Sequence, residues 1–89
     1  MTKHYQLTFE GNFKNSGFRL VTFRGASLFG IKGTVMIQNQ GQAVVDAEGE
    51  EQEIDKFVDW CKKSALQSEA CPVVSKEVEW VGYENFTIL

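Results

Sequence analysis

The residues best placed to do chemistry sit in one stretch, Gly11-Asn12-Phe13-Lys14-Asn15-Ser16-Gly17-Phe18-Arg19, where a strand-like alternation stops and a helix-like run begins. A loop that feeds a helix N-terminus exposes backbone N–H groups without intrahelical partners, and their partial positive charge makes the place receptive to an anion. Arg19, in the first turn of that helix, adds a planar fork of donors suited to phosphate or carboxylate oxygens. The same spacing also fits a tight turn at Gly17 followed by a solvated arginine, because strand–loop–helix junctions occur in many folds. The local residues leave both readings open.

Other chemistries find less to work with. His4 is the only histidine, so neither a histidine-based metal cluster nor a Ser-His-Asp arrangement can assemble, and it reads as a surface residue at the start of a strand. Cys61 and Cys71 lack CxxC spacing and fall in different expected elements, which suits two reduced thiols, with Cys61 on a buried helical stripe. No metal or other cofactor is expected. The formal net charge of −3 argues against nucleic acid as a partner, since a nucleic-acid binder needs an excess of Lys and Arg. Arg19 and Arg24 still fall close enough to make one basic spot in an acidic molecule. The opening residues have no apolar signal segment and no apolar run reaches membrane-spanning length, so a cytoplasmic, membrane-free protein is expected.

At 89 residues the chain is long enough for a single core, and residues 1–89 are read as one domain. Tyr5, Leu7 and Phe9 alternate with Gln6, Thr8 and Glu10, the two-residue period of a strand with one buried face. From Phe18 the apolar spacing becomes helical, through Thr22, Ala26 and Phe29, and the small pair Gly25-Ala26 suits a close approach to a sheet. Gly30 then supplies a helix stop. Ile31, Gly33, Val35 and Ile37 form one face of a second strand; Gln38-Asn39-Gln40-Gly41 is turn material; and Ala43, Val45 and Ala47 resume the alternation, so residues 31–48 read as a hairpin.

After Glu48-Gly49, the acidic run Glu50-Glu51-Gln52-Glu53 suits the first turn of a helix, and Ile54, Phe57, Val58 and Cys61 form its apolar stripe. Residues 64–71 read as a connection. Val74, Val78 and Trp80 share one face of a fourth strand, and Phe86 and Ile88 make a short last one. The order β-α-β-β-α-β, with an extra terminal strand, points to an α+β sandwich with two helices on one face of an antiparallel sheet.

With that order in hand, the motifs resemble the acylphosphatase family over nearly the whole chain. The family's opening signature, Gly-x-Val-Gln-Gly-Val-x-Phe-Arg, stands here as Gly11 to Arg19, matching at its ends and departing in its middle, where Lys14-Asn15-Ser16 replaces Gln-Gly-Val. Ala26, Gly30, Gly33, Gly41, Glu48-Gly49, Phe57, Trp60 and Gly82-Tyr83 with Phe86 fall in register with the family pattern, while Ser64-Ala65-Leu66 stands where the family usually carries Gly-Pro.

The resemblance implies a ferredoxin-like fold and hydrolysis of the carboxyl–phosphate bond of small acyl phosphates by water, without metal or covalent intermediate. It implies phosphate binding by Lys14, Asn15, Ser16, Gly17, Phe18 and Arg19, with Arg19 as the catalytic arginine and a small acyl phosphate or inorganic phosphate bound by a monomer. Lys14 and Ser16 would add donors toward the anion, and Asn15 tolerates the positive φ of the glycine it replaces. The family's water-orienting asparagine falls on Ile37, which can neither donate nor accept a hydrogen bond, so weakened activity is expected. Asn39 is a poor substitute by this reading, displaced roughly 6–7 Å along an extended strand. The alternatives are a phosphate-binding module without catalysis and a protein-interaction domain of the same fold.

Overall fold

The computed structural model describes residues 1–63 and 72–89; the expected connection at 64–71, with Cys71, lies outside them. The elements are β1 (Thr2–Phe9), α1 (Phe18–Phe29), β2 (Lys32–Ile37), β3 (Ala43–Glu50), α2 (Glu51–Cys61), β4 (Val73–Val78) and β5 (Phe86–Ile88). The strands form one sheet in the order β4-β1-β3-β2-β5. β1 pairs antiparallel with β3 and β4, and β3 with β2, but β5 runs parallel to β2, so the sheet is mixed and not wholly antiparallel. The cause is the last connection, which carries the chain from one edge of the sheet to the other instead of closing a hairpin on β4.

Period-two alternation places the core. Leu7 and Phe9 of β1 register with Val45 and Ala43 of β3, and Val35 of β2 with Val45; all are buried on the face that carries the helices. Phe18, Thr22, Gly25 and Ala26 line the buried stripe of α1, and Ile54, Phe57 and Cys61 that of α2. Each fully buried aromatic ring here, Phe9, Phe18 or Phe57, contributes roughly 1.5–3 kcal/mol relative to exposure. Burial also pushes the Cys61 thiol up to about 12. Gly25 serves a different neighbour from the one its sequence suggests: a Cβ there would lie 2.7 Å from the Trp60 ring and 3.1 Å from Phe57, so it closes α1 on α2 and not on the sheet.

The open face departs furthest from the sequence reading. His4 is buried, not a surface residue, because residues 79–83 cover the sheet above it. Its Nε2 lies 2.9 Å from Asp46 Oδ1, and its Nδ1 lies 2.7 Å from the Glu79 carbonyl and 3.2 Å from Glu48 Oε2. Both ring nitrogens therefore meet oxygen atoms, and the Tyr83 ring packs edge-on against the imidazole. Glu48, still within β3 and 1 % exposed, accepts the backbone N–H groups of Val81, Gly82 and Tyr83. Burial alone would raise its carboxyl, but those three donors and His4 together hold it below the ordinary carboxylate value. Val74 and Val78 do share a face, but it is this open one. Their partners Thr8 and His4 point away from the helices, Val74 is exposed, and Trp80 lies beyond the strand, also exposed.

Candidate active site

The loop between β1 and α1 is anchored before it is shaped. Phe13 sinks into the core against Phe18, with ring centroids 4.6 Å apart, and its N–H donates to the Gly41 carbonyl at 2.8 Å, tying the loop to the β2–β3 turn. That turn is closed by Gly41 N–H to the Gln38 carbonyl and Gln38 N–H to the Gln42 carbonyl, both 2.8 Å. Gly41 sits at φ 97, and a Cβ on it would lie 2.8 Å from the Asn12 Cα, so only glycine lets the turn and the loop meet this closely. Sequence reasoning passed over Phe13 as the anchor, although an aromatic residue inside an otherwise polar loop was the signal for it.

The loop's own hydrogen bonds decide which amides stay open. Lys14 N–H donates to Asn12 Oδ1 at 3.1 Å, Ser16 N–H to the Phe13 carbonyl at 3.2 Å, and Phe18 N–H to Ser16 Oγ at 3.2 Å. The Ser16 hydroxyl donates to the Phe13 carbonyl at 2.6 Å, so it shapes the loop and does not face an anion. Phe18 itself is a core residue. Among the described residues, the N–H groups of Asn15, Gly17 and Arg19 meet no acceptor. Asn15 and Gly17 adopt left-handed conformations, φ 59 and 77, which bend the chain into the first turn of α1.

Arg19 stands exposed in that turn. Among the described residues, its guanidinium makes no ion pair or side-chain hydrogen bond. It lines an open depression of about 280 Å³ with Lys14, Asn15, Ile37, Gln38 and Asn39. Among the described residues, two cations and no acid line it. Ile37, at the end of β2, is half-buried on the helix-bearing face, so an aliphatic side chain shares the depression with the arginine. Asn39 lies past the strand end in the turn and lines the same depression. The structure thus brings Lys14, Asn15, Arg19, Ile37 and Asn39 together, and leaves Ser16 and Phe18 as internal supports.

Two helices on one face of a five-stranded mixed sheet, with an arginine at the first turn of the opening helix, define a ferredoxin-like α+β domain. The sequence model of the acylphosphatase family matches residues 5–88. An acylphosphatase from Thermotoga maritima is 34% identical over 86 residues, covering 97% of this chain and 96% of its own length. The fold matches the acylphosphatase of Bacillus subtilis, with a TM-score of 0.84 at 24% identity and coverage of 100% and 99% of the two chains. It also matches that of Coxiella burnetii, with a TM-score of 0.88 at 20% identity and coverage of 99% and 93%. This chain belongs to the acylphosphatase family.

Proposed function

We propose that the protein hydrolyses the carboxyl–phosphate bond of small acyl phosphates at the Arg19 depression, more slowly than an enzyme with an amide at position 37. The observation that carries this is that Lys14, Asn15 and Arg19 line one depression that no acid lines among the described residues, beside a loop whose Asn15, Gly17 and Arg19 N–H groups meet no acceptor among them, in a chain of this family. The guanidinium fork and those N–H groups hold the terminal phosphate oxygens and offset charge while the acyl oxygen leaves. A water attacks phosphorus, the bond from phosphorus to the acyl oxygen breaks, and its electrons leave with the carboxylate. The water's protons stay with the phosphate, so an acyl phosphate dianion and water yield a carboxylate and dihydrogen phosphate. Asn39 is the amide in reach of the depression that would orient this water in place of the missing asparagine. The reaction asks for no metal, and a cytoplasmic monomer acting on small acyl phosphates fits the acidic, single-core sequence.

Acetyl phosphate turnover by the purified protein tests this reading. Replacing Arg19 by Ala lowers kcat by about 100-fold or more, the scale of losing one preorganised anion-stabilising group; turnover that survives the replacement refutes the assignment. Ile37 favours a second reading, a phosphate receptor without catalysis, since an aliphatic wall binds no water. It predicts phosphate-induced shifts of the amides at 15–19 together with no turnover at all.

A further inference from the structure

We infer that Lys14 reads the acyl half of the substrate and selects acyl phosphates carrying a second negative charge beyond the scissile bond, an inference that rests on the phosphate cradle proposed above. The cradle is already well supplied without it. The Arg19 fork offers two parallel donors and the amides of Asn15, Gly17 and Arg19 three more, for three terminal phosphate oxygens. Lys14 adds no amide to that set, because its own N–H donates to Asn12 Oδ1 at 3.1 Å. Lys14 lines the depression, and its ammonium meets no carboxylate among the described residues, unlike Lys3, Lys56 and Lys63, which pair with Glu51, Glu53 and Asp59 respectively.

Gln38 and Asn39, neutral amides that repel no anion, also line the depression, and among the described residues no acid does. In a chain of net charge −3 this is a local excess of two positive charges, one more than the arginine supplies. A flexible four-carbon stem with a point charge at its tip suits an anion whose position varies with the acyl group, such as a carboxylate or a second phosphate.

Two unreactive phosphonates separate the roles: phosphonoacetate, whose second group is a carboxylate, and acetonylphosphonate, whose second group is a neutral ketone. Each is titrated into the wild-type protein, Lys14→Gln and Lys14→Arg, following the backbone amides of residues 15–19. The wild type binds phosphonoacetate tighter than the ketone by about threefold, the size of an exposed ion pair, and high salt erases the preference. Lys14→Gln removes the preference and Lys14→Arg keeps it. If Lys14→Gln weakens both phosphonates equally, the lysine serves the phosphate itself and the inference is overturned; an unchanged preference overturns it as well. Silence at residues 15–19 with either phosphonate refutes the cradle, a different failure from equal binding of the two.

Discussion

Replacing Glu48 by Gln tests the account of the open face, because the change keeps the shape and removes the charge. The wild-type carboxylate, 1 % exposed, accepts Gly82 N–H at 2.9 Å and Tyr83 N–H at 2.8 Å on Oε1 and Val81 N–H on Oε2, which also lies 3.2 Å from His4 Nδ1. A glutamine keeps one acceptor oxygen and turns an amide N–H₂ toward backbone donors, so at least one buried N–H loses its partner. An unsatisfied buried donor costs about 1–3 kcal/mol, which sets the expected loss. At roughly 4–8 °C per kcal/mol for a domain of this size, Tm falls by at least about 4 °C.

Thermal and urea unfolding followed by circular dichroism give both numbers, and pH adds a sign. The Glu48 carboxyl lies below its ordinary value of 4.5 in the folded state. Its contribution is therefore complete above that pH and is lost as pH falls through the folded value. The gap between wild type and variant is widest near neutrality and narrows below about pH 4.5. A loss under about 1 kcal/mol at neutral pH, or a gap that widens on acidification, would refute the reasoning.

Two further outcomes follow from the packing. Gly41→Ala places a methyl 2.8 Å from the Asn12 Cα at φ 97, so it separates the turn from the loop; stability falls by about 1–3 kcal/mol in a urea titration, and acetyl phosphate turnover falls with it, whereas an unaltered KM and kcat would show that the turn does not position the site. The Cys61 thiol, raised to about 12 and fully buried, resists alkylation by iodoacetamide at pH 8 in the native protein and reacts on unfolding; rapid native labelling, assigned to this residue by mass spectrometry, would contradict its burial.

Much of the fold was legible because the helix-bearing face obeys simple periods. Leu7, Phe9, Val35 and Val45 alternate as strands with one buried face do, and Ile54, Phe57 and Cys61 recur at helical spacing. Alternation is silent about what covers the other face. Thus His4 and Glu48 read as exposed or boundary residues, while the crossing of residues 79–83 buries them through hydrogen bonds between partners 33 to 75 positions apart. For the same reason the parallel pairing of β5 was hidden, since it depends on where a connection travels. At the site, the arginine and the lost asparagine were visible as residue types. Which amides remain open was not, because Ser16 and Asn12 consume some of them through short-range bonds that only the loop's conformation decides.

The most direct test of the central claim is the kcat for acetyl phosphate of the wild-type protein and of Ile37→Asn, measured side by side. The account predicts slow wild-type turnover and a rise of about tenfold or more in the variant, as an amide that orients water is restored beside a competent cradle. Absence of turnover in both proteins would contradict it.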